Sequence, residues 1–312
     1  MLNSAYIWWM VGSALLAAGV HFFLTKGLKN RALLTGLTLV LGALLGAVCA
    51  KALYCATQWM HFQDQIQNYG LGGAIFSDNL TAVSYYGGVL GVILAAALAG
   101  KATGNGAVKA LNAYAPAGAL MAALARFGEG FLEMMDLGAL QKDEWTHFFP
   151  LTAKYEWSPA YAEWYLAVFM LSGIAYLIVC GLSLLFFREK RFVRTLYYMC
   201  LPQILLESLR IDSSMKFHEF VKVEQLLCMI GMVVILILYG VWAGKKQKNR
   251  CLPALLSLVC AGVFVAVEFA LDGKLGENLR YGIPYVVMGL GMIALAVLEC
   301  WGFSRVRTEK KV

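Results

Sequence analysis

The sequence predicts an all-α, polytopic membrane protein of about nine transmembrane helices, with its amino terminus outside and its carboxyl terminus in the cytoplasm. Three observations predict it: the composition, the recurrence of apolar runs of helix-spanning length, and the placement of basic residues between those runs.

The chain is 60% hydrophobic and only 14% charged, with a mean hydropathy of +0.67. A soluble globular domain of ordinary composition carries about 25% charged residues, so the soluble class is excluded first. The formal charge of +7 does not point to nucleic acid, because most basic residues sit in short connections between apolar runs, where they report topology. The eight cysteines contain no CxxC and no zinc-type Cys/His spacing, and the four histidines form no HExxH, so the sequence predicts neither a metal nor a diffusible cofactor.

A helix needs about 20 mostly apolar residues to cross roughly 30 Å of hydrocarbon. Such runs fall at residues 5–24, 32–54, 82–99, 110–127, 164–187, 195–209, 225–243, 251–271 and 281–303. The first lacks a basic leader and a small-residue cleavage site before Lys26, and is read as a retained helix. The sixth is short. Lys26, Lys29 and Arg31 follow the first run, Lys101 and Lys109 the third, and Arg188, Lys190, Arg191 and Arg194 the fifth. Residues 245–250 follow the seventh, and Arg305, Arg307, Lys310 and Lys311 the ninth. Every basic cluster therefore follows an odd-numbered run, which fits the positive-inside rule in one orientation and supports the sixth run as a span. The long connections at residues 55–81, 128–163 and 210–224 fall outside; the first has no Lys or Arg. Trp59, Tyr69, Trp145, Tyr155, Trp157 and Tyr161 suit these segments to headgroup depth, and interfacial anchoring suffices to explain them.

Charge inside the runs marks the candidate site, because a charged residue at a helix centre costs about 2.5–3.5 kcal/mol on insertion scales and faces the protein interior. The fourth run ends outward at Arg126, followed by Gly128, Glu129, Glu133 and Asp136. Arg126, Glu129 and Glu133 share one helical face, and Gly128 leaves it open. In the sixth run Gln203, Glu207 and Arg210 stand at i, i+4 and i+7, again on one stripe. Arg126 and Arg210 are natural partners for Glu129 and Glu207; interhelical ion pairing and snorkelling account for them as well as a ligand site does. On the functional reading, two arginines at outer-leaflet depth suit a phosphodiester, whose oxygens accept a planar pair of donors, with the glutamates orienting them. Tyr86, Gly87 and Gly88 begin the third run at the same level, where small-residue packing is the plain alternative. Lys51 is read as snorkelling outward, and Glu268 has no basic partner in its own run.

The order of these elements resembles the prolipoprotein diacylglyceryl transferase family, over roughly residues 5–241. The resemblance rests on the Leu/Gly-rich residues 33–47, on Tyr86-Gly87-Gly88-Val89-Leu90-Gly91, on Arg126-Phe127-Gly128-Glu129, on Ile204-Leu205-Leu206-Glu207-Ser208-Leu209-Arg210, and on residues 225–232. It matches Arg126 and Gly128 to the family's Arg-x-Gly-Asn signature, and Glu207 and Arg210 to its later Glu-x-x-Arg. Here Tyr86 stands where the family has histidine, Glu129 where it has asparagine, Gln203 where it has arginine, and Trp9 where it has a first-helix tyrosine. The signature glutamate falls at Glu133 or Met134, out of register by one.

The resemblance implies a bacterial plasma-membrane enzyme that moves a diacylglyceryl group from phosphatidylglycerol to a lipobox cysteine of a prolipoprotein at the outer leaflet. Arg126, Glu207, Arg210, Tyr86 and Glu129 would be its catalytic group, and Gly87, Gly88, Gly128, Gln203 and Glu133 its substrate contacts. The cysteine thiolate would attack the glycerol carbon bearing the phosphate ester, with Tyr86 or Glu129 as the base. On this reading residues 1–243 form a seven-helix core and residues 244–312 add two helices and a basic tail. Two rivals remain: a non-catalytic phospholipid-binding protein, favoured by the replaced histidine and asparagine, and a transporter, weakened by charges that gather outside rather than at the midplane.

Overall fold

A computed structural model of the chain describes residues 4–76, 83–132, 135–158, 161–211, 216–217, 221–244, 249–271 and 282–309. It is dominated by ten α-helices: α1 (Ser4–Leu24), α2 (Arg31–Thr57), α3 (Trp59–Phe76), α4 (Tyr85–Ala102), α5 (Ala107–Gly128), α6 (Val168–Leu185), α7 (Arg191–Leu209), α8 (Val223–Trp242), α9 (Leu252–Leu271) and α10 (Gly282–Glu309). Two short antiparallel hairpins join them, β1 (Thr152–Ser158) with β2 (Tyr161–Leu166), and β3 (Lys216–Phe217) with β4 (Val221–Lys222).

Each of the nine apolar runs falls largely on a helix, and among the described residues seven helices are long and apolar enough to cross a membrane. The two runs outside that set are α5 and α7. They carry Lys109, Asn112, Pro116 and Arg126, and Arg191, Arg194, Pro202, Gln203 and Glu207. Of the nine runs, the two least suited to lipid are thus the two that bear the candidate charges, which is the arrangement expected when protein rather than lipid surrounds them.

Three sequence expectations are corrected in the outer segments. Residues 55–81 were expected to be a connection only, yet residues 59–76 form α3, with Gly70 at φ 72° and ψ 169° breaking its continuity. That backbone angle is open to glycine at little cost. The segment 128–163, expected as a plain connection, contains β1 and the start of β2, a short hairpin in an otherwise helical fold. Finally, the fifth run begins in β2: residues 164–166 pair with Thr152, Ala153 and Lys154, and α6 starts only at Val168. Trp164-Tyr165-Leu166 is apolar enough to extend a helical window while being aromatic enough to favour a strand, so hydropathy alone misplaces the boundary.

The chain forms two compact units. The first comprises Met1–Asp136 and Gly173–Thr195. Its tightest seam is α2 against α4, where a Cβ on Gly87 would stand 2.4 Å from the Cys49 carbonyl oxygen and one on Gly91 2.2 Å from that of Leu45. Only glycine lets these backbones approach so closely. Ser84 caps α4 by accepting from the Gly87 amide (3.4 Å), and its own amide donates to the Ala50 carbonyl (3.0 Å). At the other end, Asn105 clasps the backbone of Lys29, accepting from its amide at 2.8 Å and donating to its carbonyl at 2.9 Å. Trp9 ties α1 to α5 by donating to the Leu124 carbonyl (2.7 Å), and its indole lies where a Cβ on Gly128 would go.

The second unit comprises Leu137–Ser172 and Leu196–Val312. Here α8, α9 and α10 pack on one another, and Gly291 and Gly302 admit the rings of Phe264 and Tyr239. Several polar side chains buried within this unit find partners across its helices. Tyr197 donates to the Leu295 carbonyl (2.8 Å), and Glu299 of α10 accepts from the hydroxyls of Tyr239 (3.0 Å) and Tyr198 (3.1 Å).

Candidate functional site

The candidate residues fall into two clusters, one in each unit. In the first, α5 carries Arg126 to its carboxyl end, where the guanidinium is only 3% exposed. Its Nη1 donates to Glu129 at 2.7 Å and to Asp136 at 2.6 Å, and the ring of Tyr85 lies 4.2 Å from Cζ. Glu129 stands one turn along the same chain direction, in a short 3-10 turn that ends the helix. The other edge of the guanidinium behaves differently: Nε and Nη2 are buried without a hydrogen-bond partner among the described residues.

That asymmetry carries chemical meaning. A buried donor without an acceptor costs about 1–3 kcal/mol, more when charged, and the Nε/Nη2 edge of arginine is one that grips two oxygens of a carboxylate or phosphate. The arrangement leaves a two-donor fork able to accept a pair of oxygens, its other edge being held by two carboxylates. Tyr86 sits at the start of α4 beside it in sequence, its ring 5.5 Å from that of Tyr85 and perpendicular to it.

The proposed glycine contacts divide. Gly87 and Gly128 are taken up by packing, against Cys49 and Ala50 in one case and Trp9 in the other. Gly88 would bring a Cβ no closer than 3.9 Å to Ala50, so packing makes no demand for glycine there. Lys51 stands over the ring of Tyr54, with Nζ 5.5 Å from its centroid. Glu133, and Met134 beside it, lie outside the described residues.

In the second unit the stripe on α7 closes into a network. Glu207, fully buried, accepts from Gln203 at 2.9 Å and from Arg210 Nη1 at 2.9 Å. Arg210 also reaches Glu224, the second residue of α8, at 3.3 Å. Lys222 of β4 donates to the backbone carbonyls of Glu207 and of Arg210, the latter at 2.6 Å, and so satisfies groups that the end of α7 leaves open. Gln225 donates to the Ile204 carbonyl (3.0 Å) and to Glu268 of α9 (2.8 Å), which supplies the partner that Glu268 lacks in its own run.

Sequence reasoning named Arg126, Glu129, Gln203, Glu207 and Arg210, and missed their supports Tyr85, Lys222, Glu224 and Gln225; Asp136 was noted without its pairing to Arg126. These supports come from turns and neighbouring helices, which periodicity within one helix cannot reach. Glu299 was also passed over, although a lone carboxyl inside an apolar run is the same signal that drew attention to Glu268.

Fold and clusters together define a polytopic membrane protein that buries arginine–carboxylate groups at the ends of α5 and α7. The chain matches the model of the prolipoprotein diacylglyceryl transferase family over residues 7–242, and it belongs to that family. No curated protein and no solved structure matches it. Membership supports a prolipoprotein diacylglyceryl transferase-like function in general, and places the chain among membrane-embedded transferases of lipoprotein biosynthesis. The matched region ends with α8; α9 and α10 lie beyond it.

Proposed function

We propose that the protein transfers a diacylglyceryl group from phosphatidylglycerol, or a related anionic phospholipid, to the lipobox cysteine of a prolipoprotein at the outer leaflet of a bacterial plasma membrane. On this reading all nine apolar helices cross the membrane, with the amino terminus outside and the carboxyl terminus in the cytoplasm. Residues 1–243 carry the reaction and residues 244–312 buttress it. The observation that carries the reading is the buried Nε/Nη2 edge of Arg126, without a partner among the described residues, in a chain of this family.

The cysteine thiolate attacks the glycerol carbon that bears the phosphate ester. A carbon–sulfur bond forms, the carbon–oxygen bond to phosphate breaks, and glycerol phosphate leaves with the electron pair. Arg126 holds the phosphate oxygens through its free edge while Glu129 and Asp136 fix its plane. A thiol of ordinary pKa about 8.5 needs a base at neutral pH, and Glu129 or Tyr86 takes that role in place of the family's histidine.

The replacements at Tyr86 and Glu129 favour one other reading, a phospholipid-binding member without transfer chemistry. The test is transfer of labelled diacylglyceryl from phosphatidylglycerol to a lipobox peptide by purified protein, with Arg126→Ala and Glu207→Ala beside it. Transfer by the wild type that both substitutions abolish supports the enzyme. Absent transfer, with lipid still retained through Arg126, establishes the binding protein instead.

A further inference from the structure

The segment between α5 and α6 holds a turn that none of the proposed chemistry uses. After Asp143, residues Glu144–Thr146 make one 3-10 turn, and the chain then runs through His147, Phe148 and Phe149 into β1. Three large rings stand out from it: Trp145 is 76% exposed, Phe148 50% and Phe149 64%. Soluble surfaces seldom gather so much apolar area in five residues unless something covers it.

The turn is built to hold these rings outward. Thr146 donates from its hydroxyl to the Asp143 carbonyl (2.6 Å), and the buried Thr152 hydroxyl donates to the Thr146 carbonyl (2.8 Å). The His147 ring bonds the Gln141 carbonyl (2.9 Å) and stacks on Trp164, centroids 5.2 Å apart with 9° between the planes. A turn pinned at Thr146, His147 and Thr152 keeps its aromatic side chains out by construction.

What covers them follows from where the turn is tied. The Thr152 amide bonds Phe148, Thr152 pairs with Leu166, and the Ala167 amide donates to the Leu151 carbonyl at 2.9 Å. The next residue, Val168, begins α6, one of the helices long and apolar enough to cross a membrane. Phe149 is two residues from Leu151, so chain reach holds it within about 7 Å of the residue bonded at the mouth of that helix. The headgroup layer on each side of the hydrocarbon core is itself roughly 5–8 Å deep. Phe149 therefore stands near the depth where the bilayer's polar layer begins, and Trp145 and Phe148 share its pinned turn; the indole of Trp145, apolar with one polar end, is favoured there, and the two phenyl rings add apolar area. The charges of Lys142, Asp143 and Glu144 sum to a net negative, so contact relies on ring insertion rather than on attraction to anionic lipid.

We infer that Trp145, Phe148 and Phe149 form a lipid-facing foot that seats the β1–β2 hairpin in the outer headgroup layer at the entry of α6. The occupant is the membrane's own lipid surface, and the inference stands whether or not the chain transfers diacylglyceryl.

The test is fluorine NMR on full-length protein labelled with 5-fluorotryptophan, in nanodiscs of phosphatidylcholine with phosphatidylglycerol. Trp145→Phe assigns the Trp145 resonance, and wild type supplies the measurement, so no folding defect intervenes. The foot predicts that a lipid doxyl-labelled near its headgroup broadens this resonance several-fold more than an aqueous gadolinium chelate does. Stronger broadening by the chelate overturns the inference. So does a Trp145 resonance that stays aqueous and moves only when a lipobox peptide is added, which would make the turn a peptide surface.

Discussion

Arg126 combines a charge, near-complete burial and an edge without an acceptor among the described residues, and its geometry makes specific demands on replacement. Lysine keeps the charge but offers a compact ammonium in place of the planar fork. Arg126→Lys is therefore expected to weaken phosphatidylglycerol binding by about tenfold or more, the equivalent of one lost charge-assisted hydrogen bond of roughly 1.5–3 kcal/mol; titration of lipid onto purified protein measures it. The glycines give a second residue-scale prediction. A methyl on Gly87 meets the Cys49 carbonyl oxygen at 2.4 Å, backbone that cannot swing away, whereas one on Gly88 meets nothing nearer than 3.9 Å. Gly87→Ala is expected to destabilise by about 1–3 kcal/mol and Gly88→Ala to leave the melting temperature in detergent nearly unchanged; equal effects would contradict the packing account of Gly87. The legibility of these positions differs for a physical reason. Arg126–Glu129 and Gln203–Glu207–Arg210 were readable because helical spacing places them side by side. Asp136 lies ten residues from Arg126, beyond the turn that ends α5, and no period connects them.

At the scale of elements, the apolar runs were legible because about 20 apolar residues in succession have few alternatives to a membrane-crossing helix. What failed were the polar-aromatic segments. Residues 59–76 mix Gln, Asn and Gly with aromatics, so neither hydropathy nor propensity announced α3. Residues 161–166 alternate only briefly, so β2 was absorbed into the helix that follows it. The end of α7 shows what such junctions do: Lys222, from a strand of two residues, binds the carbonyls of Glu207 and Arg210 and holds the helix terminus that presents both side chains. Lys222→Met removes both bonds and is expected to cost about 1–3 kcal/mol in stability, together with a loss of activity larger than that of Lys154→Met, whose partner is the exposed Glu156. Thermal melts and transfer rates of the two variants, compared side by side, check this.

At the scale of the whole molecule, the family match ends at residue 242 while the packing does not. Two buried carboxylates beyond that point reach back into the matched region: Glu268 accepts from Gln225, and Glu299 accepts from Tyr239 and Tyr198. Glu299→Leu removes the acceptor of the buried Tyr239 hydroxyl and one of the partners of Tyr198, which also meets Cys300, and is expected to destabilise by about 1–3 kcal/mol, while Glu299→Gln, which keeps an acceptor oxygen, is expected to recover most of the loss. A chain ending after residue 243 is correspondingly expected to purify poorly. These supports bear on a central claim, that a buried arginine in a diacylglyceryl transferase family member keeps one edge for a lipid phosphate. The most direct measurement is native mass spectrometry of the intact protein released from membranes containing phosphatidylglycerol, wild type beside Arg126→Ala. The account predicts one phosphatidylglycerol retained by the wild type and lost in the variant; equal retention by both would place the lipid elsewhere and contradict it.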